Sequence, residues 1–145
     1  MVDNSSFESR VGRLSCTPEV FFNFVTDIRN LEQFVPKEKT GNWIASSDSC
    51  SFNVPPLGSA NIRISAKVAS SLVEYTGDIM KSTNFNLKVN ISENENNLAD
   101  VRILFTADLN PVLRMMASGP IEKFLELLIS EMEKFDKWND RVNEK

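Results

Sequence analysis

The sequence predicts an α+β domain in which a curved antiparallel sheet of about seven strands wraps around a long C-terminal helix. A segment with one continuous apolar stripe lies near the end of the chain, at about residues 120–138. A series of alternating strands precedes it, and two short helical segments follow the first strand. A long amphipathic helix must bury its stripe, and the strands are the only elements available to receive it.

The first strand is expected over residues 7–16, and a helix is expected to begin directly after it. Thr17, Pro18 and Glu19 form a helix start. The hydroxyl can cap the N-terminus, proline suits the first turn, and the acid complements the helix dipole. A second short helix over residues 30–34 is expected to end before Pro36.

From Thr40 onward, apolar residues recur at every second position, which is the period of a half-buried strand. Short strands are expected at residues 43–47 and 49–54, and a rigid turn at residues 55–58, which could also be a lid. Longer strands with one apolar face follow at about residues 61–68, 73–79, 85–92 and 101–109. Such alternation is typical of an antiparallel meander with one face on the core and the other in water.

The C-terminal helix carries large apolar side chains at helical spacing. These are Ile121, Phe124, Leu125, Leu128, Met132 and Phe135. Gly119 and Pro120 are expected to interrupt an earlier helical region, so that residues 111–118 form a separate or kinked turn. The Gly-Pro pair is interpreted as a bend between two helices, with a hinge at a cavity mouth as the alternative.

Composition excludes several classes of function. The net charge is −4, with 16 Lys and Arg against 20 Asp and Glu and no basic run, which argues against a nucleic-acid surface. No stretch approaches the ~18 apolar residues of a membrane span, so no membrane insertion is expected. The N-terminus has no apolar signal segment, which favours a cytoplasmic protein. Cys16 and Cys50 are then expected to be reduced, buried thiols.

The chain contains no histidine. This excludes Ser-His-Asp and Cys-His nucleophile systems and imidazole-ligated zinc. There is also no Gly-rich phosphate loop and no Cys-x-x-Cys motif, so neither a metal nor a cofactor is expected. An enzyme would have to work with carboxylates, lysine, tyrosine or cysteine.

Two short stretches, together with the strand meander and the final long helix, resemble the START/polyketide-cyclase-like superfamily (SRPBCC), whose architecture is called the helix-grip fold. Residues 10–21 (RVGRLSCTPEVF) are similar to its first strand and the proline-glutamate start of its first helix. Residues 27–36 (DIRNLEQFVP) are similar to the end of its helical pair. The resemblance implies one domain over residues 1–145, with ends at 1–5 and 139–145 expected to fray. It also implies an elongated cavity for an apolar ligand between the sheet and the last helix.

Inward strand positions and the apolar helix face supply the candidate ligand-binding residues, with no catalytic residue among them. Tyr75, the only tyrosine, could fix the polar end of a ligand, or it could be a core residue whose hydroxyl meets a backbone carbonyl or a water. Met116 could lie at a cavity mouth or in the core. The full set is Tyr75, Ile64, Ala66, Phe85, Leu87, Ile103, Phe105, Met116, Phe124 and Leu128.

These features together favour non-enzymatic binding of a small apolar or amphipathic molecule. The resemblance narrows the ligand to lipid-like, polyketide-like or isoprenoid compounds. Two alternatives stay open. One is a cyclase- or dehydrase-type enzyme that uses the same cavity, although the sequence has no histidine and no convincing inward acid for proton transfer. The other is a protein-interaction module, which would need an exposed apolar patch.

Overall fold

The computed structural model describes residues 4–34, 44–45, 49–54, 58–79, 83–136 and 138. Within them the chain forms the predicted α+β fold, a curved antiparallel sheet with a long C-terminal helix and two short helices after the first strands. The strands are β1 (Asn4–Glu8), β2 (Gly12–Arg13), β3 (Ile44–Ala45), β4 (Ser49–Val54), β5 (Gly58–Val68), β6 (Leu72–Ile79), β7 (Thr83–Glu93) and β8 (Ala99–Asp108). The helices are α1 (Pro18–Val25), a 3-10 helix (Ile28–Phe34) and α2 (Pro111–Lys134). The expected turn or lid at residues 55–58 and the end at 139–145 fall almost wholly outside the described residues.

The sheet has the order β1-β8-β7-β6-β5-β4-β3, and all neighbours are antiparallel. Strand β2 also pairs with β8. The predicted first strand is therefore two strands. Ser9 lies between them and occupies both backbone groups of Ile103, because its N–H donates to the Ile103 carbonyl (2.8 Å) and its hydroxyl accepts from the Ile103 N–H (2.9 Å).

A β-bulge in β5 changes which face its side chains occupy. Ile64 pairs with Tyr75, but the next pair joins Ala66 to Glu74, so Ser65 is an extra residue. The Ser65 hydroxyl donates to the Glu74 carbonyl (3.2 Å) at this point. Residues directly opposite in a sheet share a face. The prediction that Ala66 points inward is therefore wrong, since it lies on the outer face with Glu74.

Helix α2 is continuous, so the predicted interruption at Gly119 and Pro120 is wrong. A residue before proline is normally driven out of the helical conformation by a clash that involves its Cβ. Gly119 has no Cβ, so the helix can pass through Pro120. The predicted apolar stripe is confirmed, although Phe124 and Phe135 are only partly buried, and the stripe also includes Ala117 and Ile129. Among the described side chains of α2, the buried ones are Ala117, Ile121, Leu125, Leu128, Ile129 and Met132.

The predicted start of α1 is confirmed, because the Thr17 hydroxyl accepts from the Val20 N–H (3.3 Å). An aromatic cluster joins α1 and the 3-10 helix to Phe135 and Trp138, which follow the end of α2. Phe24 lies 5.3 Å from Trp138, and Phe34 lies 5.4 Å from Phe135, between ring centroids. These contacts fix the two short helices over one end of the sheet.

Arg10, in the connection between β1 and β2, ties α2 to the edge of the sheet. Its guanidinium donates to both carboxylate oxygens of Glu126 (3.1 and 3.2 Å) and to both of Glu133 (2.9 and 3.0 Å). The Arg13 N–H also donates to Glu133 (3.0 Å). The hydrogen bonds from Arg10 and, to a smaller extent, from the Arg13 N–H hold the pKa of Glu133 below its usual range. We call this group of Arg10, Glu126 and Glu133 the clamp.

The clamp predicts a pH-dependent contribution to stability. Glu133→Gln should lower the melting temperature at pH 7 by about 2–4 °C, because it removes the charge that pairs with Arg10. The pKa of Glu133 is lower in the folded state than in the unfolded chain. The stabilisation is therefore complete above about pH 5 and is lost as pH falls through the lowered pKa. Thermal melts between pH 7 and pH 3 should show the variant and the wild type converging.

Glu122→Gln is the control for this experiment, because it removes the same charge from an exposed position on the same helix. It should change the melting temperature little at either pH. A gap between Glu133→Gln and the wild type that stays constant down to pH 3 would contradict the assignment.

Candidate ligand cavity

The space between the sheet and α2 contains an apolar cavity of about 80 Å³. Strands β4 to β8 form its floor, and the middle of α2 forms its roof. The end of α1 and the 3-10 helix close one side. The described residues that line it are Val25, Leu31, Phe52, Ala60, Ile62, Tyr75, Ile79, Phe85, Leu87, Val89, Ile103, Phe105, Pro120, Ile121, Phe124, Leu128 and Met132.

The cavity brings together most of the residues that the sequence singled out. Tyr75, Phe85, Leu87, Ile103, Phe105, Phe124 and Leu128 line it.

Three of the predicted residues lie elsewhere. Ala66 is turned to the outer face by the bulge at Ser65. Ile64 is partly buried against the core outside the cavity. Met116 is 60% exposed, because it lies away from the buried stripe of α2.

Sequence reasoning missed several lining residues for two different reasons. Ile62, Ile79, Ile121 and Met132 lie on faces that the alternation or the helical stripe already marked as inward, so the pattern could have supplied them. The contributions of α1 and the 3-10 helix, Val25 and Leu31, depend on how these helices close over the sheet. No local pattern in the sequence signals that placement.

Tyr75 is the only lining residue, among those described, with a polar side-chain oxygen or nitrogen. Its hydroxyl donates to the Val25 carbonyl at 2.7 Å, and the residue is 1% exposed. Val25 is the last residue of α1, and carbonyls at a helix C-terminus have no N–H donor within the helix. The Tyr75 hydroxyl therefore supplies the hydrogen-bond donor that the Val25 carbonyl lacks within α1. Burial, with a smaller contribution from nearby Cys50, raises the pKa of Tyr75 well above its usual range.

The two cysteines are reduced, buried thiols, as the sequence predicts. Burial raises the pKa of Cys16 to about 12, so its thiol stays protonated at neutral pH. Cys50 pairs with Ile62 across β4 and β5, and it does not line the cavity. Within the described ranges, no group of three His, Cys, Asp or Glu side chains could hold a metal ion.

The cavity is small for a ligand site. Pockets for drug-sized molecules usually enclose about 300–1,000 Å³, whereas this one encloses about 80 Å³. A ligand larger than a few heavy atoms therefore needs the walls to move apart.

None of the helices in the described part of the chain is both long enough and apolar enough to cross a bilayer.

No protein-family model matches the sequence, and no curated protein matches it significantly. Solved structures do resemble the fold. Hypothetical protein jhp0584 from Helicobacter pylori matches with a TM-score of 0.65 at 8% identity, and the match covers 92% of this chain and 88% of that chain. The protein of unknown function SA2116 from Staphylococcus aureus matches with a TM-score of 0.64 at 12% identity, and the match covers 90% of this chain and 92% of that chain. Ara h 8.0201 matches with a TM-score of 0.59 at 9% identity, and the match covers 92% of this chain and 100% of that chain.

Identities this low show the fold alone. They agree with the helix-grip arrangement of a curved sheet around the C-terminal helix. They do not carry a ligand or a reaction from one protein to another.

The bond between Tyr75 and Val25 predicts a loss of stability on removal of the hydroxyl. Tyr75→Phe should lower the free energy of unfolding by about 1–3 kcal/mol, because the buried Val25 carbonyl would lose its donor. The ring and its packing would remain. Urea unfolding measures the change, and titration with the apolar dye 1-anilinonaphthalene-8-sulfonate should give a dissociation constant within about two-fold of the wild type. Unchanged stability with a clearly weakened affinity would instead make the hydroxyl a ligand anchor.

Proposed function

We propose that the protein binds a small apolar molecule in the cavity between the sheet and α2, without catalysing a reaction on it. The observation that carries this proposal is the chemistry of the described lining, which is apolar except for Tyr75. The proton of that hydroxyl is already donated to Val25. Such a lining favours hydrocarbon or aromatic groups, and it would penalise a buried polar group that finds no partner.

The same lining supports binding over the cyclase- or dehydrase-type alternative. Proton transfer at neutral pH needs a group whose pKa lies near the working pH. Burial moves the pKa of Tyr75 in the opposite direction, far above neutrality. No other described lining residue has a titratable side chain.

The lining also supports an orientation for an amphipathic ligand. The lining residues that are only partly buried mark the rim of the cavity, and these are Leu31, Ile62, Ile79, Leu87, Pro120 and Phe124. A ligand would place its apolar part among the fully buried residues and leave any polar end at this rim, in contact with water. Lipid-like and polyketide-like compounds, the class that the family resemblance implies, have this form.

A reducing compartment such as the cytoplasm fits this proposal. Cys16 and Cys50 are both buried, reduced thiols, and buried reduced cysteines are typical of proteins that work in reducing surroundings.

A protein-interaction role is the second candidate. It is favoured by three exposed apolar side chains at the start of α2, Val112, Met115 and Met116. Exposed apolar clusters mark surfaces that meet other molecules. This role does not need the cavity, so the experiment below separates the two candidates.

The proposal predicts that filling the cavity weakens binding of 1-anilinonaphthalene-8-sulfonate. Ala60 is 2% exposed and lines the cavity, so Ala60→Leu should occupy space that a ligand needs. Affinity measured by fluorescence titration should fall at least about ten-fold. Ala66→Leu is the matched control, because it makes the same change on the same strand but on the outer face. It should leave the affinity unchanged.

Both variants must show a cooperative melt, since partly unfolded proteins also bind this dye. If Ala60→Leu does not fold, Leu87→Ala provides the opposite change, because it enlarges the cavity and should strengthen binding. Absence of one-to-one binding by the folded wild type, or equal effects of Ala60→Leu and Ala66→Leu, would overturn the proposal and leave the interaction role as the better candidate.

A further inference from the structure

The polar side chain in the described lining of the cavity, Tyr75, has only one kind of hydrogen bond left to offer. Its hydroxyl carries a single proton, and it donates that proton to the Val25 carbonyl at 2.7 Å. A phenolic oxygen also has lone pairs that can accept a hydrogen bond. Toward a ligand, the Tyr75 hydroxyl can therefore act only as an acceptor.

The bond between Tyr75 and Val25 lies in the wall of the cavity, because both residues line it. Each of the two is only 1% exposed, so bulk water does not compete for the bond. Among the residues that the structure describes, none donates a hydrogen bond to the Tyr75 oxygen. In such apolar surroundings a donor from a ligand would gain more from this oxygen than it would in water.

The direction of the bond is fixed by the chemistry of both partners. Burial, with a smaller contribution from Cys50, raises the pKa of Tyr75 well above its usual range, so the hydroxyl keeps its proton at neutral pH. The Val25 carbonyl has no proton to give in return. If Tyr75 turned its proton toward a ligand, the buried carbonyl would lose its donor, which is unfavourable.

We propose that the cavity selects neutral ligands that carry one O–H or N–H donor on an apolar body, and that the Tyr75 oxygen accepts this donor. The inference rests on the proposed function and narrows it. A second polar group on the ligand would find no partner among the apolar lining residues and would have to stay at the rim, in water.

The same geometry disfavours the other polar groups that a ligand can carry. A ketone, an ether or a carboxylate has only lone pairs, which would face the lone pairs of the Tyr75 oxygen without a proton between them. An ammonium group can donate, but it would lose its hydration on entering the cavity. The described lining contains no acidic side chain that could balance its charge.

The inference is tested on the wild-type protein with cyclopentanol, cyclopentanone and cyclopentane, which share one ring and differ in the polar group. Methyl NMR titrations that follow Ile103 and Leu128, two lining residues, give a dissociation constant for each probe. Cyclopentanol should bind at least about five-fold more tightly than cyclopentanone. Without an acceptor in the cavity the alcohol would bind no more tightly than the ketone, because it gives up donor as well as acceptor bonds to water.

A second readout reports on the Tyr75 oxygen itself. Tyr75 is the only tyrosine of the chain, so a ¹³C label on the ring carbon that bears the hydroxyl gives a single signal. Cyclopentanol should shift this signal clearly further than the other two probes, because only a donor polarises the oxygen. Equal shifts with all three probes would overturn the assignment to Tyr75, even if the alcohol binds most tightly.

Two variants show whether the alcohol reaches Tyr75 through the cavity. Ala60→Leu fills the cavity and should reduce the cyclopentanol-induced shift of the Tyr75 signal at least about five-fold at a fixed alcohol concentration. Ala66→Leu, on the outer face of the same strand, is the matched control and should leave the shift unchanged. Equal shifts in both variants would overturn the inference.

Failure of the inference and failure of the proposed function give different results. If cyclopentane binds saturably and cyclopentanone binds as tightly as cyclopentanol, the inference is overturned and the proposed function stands. If none of the three probes gives saturable shifts, the proposed function falls and the inference falls with it. Tyr75→Phe cannot replace this comparison, because it frees the Val25 carbonyl, which would itself accept from the alcohol.

Discussion

Burial of the α2 stripe against the concave face of the sheet is the constraint on which the rest of the structure depends. Residues such as Ile121, Leu125 and Ile129 each contribute about 1.5–3 kcal/mol when they leave water. The inner face of every strand from β4 to β8 must therefore be apolar, and the sheet must curve to follow the helix. The cavity is the space that remains where the helix and the curved sheet do not meet.

Local chemistry in the sequence is sufficient to predict most of this architecture. Thr17 and Pro18 mark the start of α1 because capping is decided within one turn. The spacing of Ile121, Leu125 and Leu128 marks the buried face of α2 because a helix has a fixed period. Strand alternation marks the inner face in the same way, and this is why Tyr75, Leu87 and Ile103 could be placed at the cavity.

The remaining features depend on contacts between distant parts of the chain. No residue near Ser65 predicts a bulge, because the position of the extra residue depends on how β5 pairs with β6. The bulge moves Ala66 to the other face of the sheet. Pro120 suggested a break, but Gly119 has no Cβ to clash with the proline ring, so the helix continues through it. The partner of Tyr75 is Val25, fifty positions away. Only the packing of α1 over the sheet brings this carbonyl to the hydroxyl.

The central claim is that the protein contains an apolar cavity that accepts a guest. Xenon tests it most directly, because small apolar cavities bind this atom without any change of shape. Methyl NMR spectra recorded under increasing xenon pressure should show saturable shifts in Leu87, Ile103 and Leu128, which line the cavity. The exposed methyl groups of Ile44 and Val68 should respond only weakly and without saturation. Equal, unsaturable shifts in both groups, or none in either, would contradict the account.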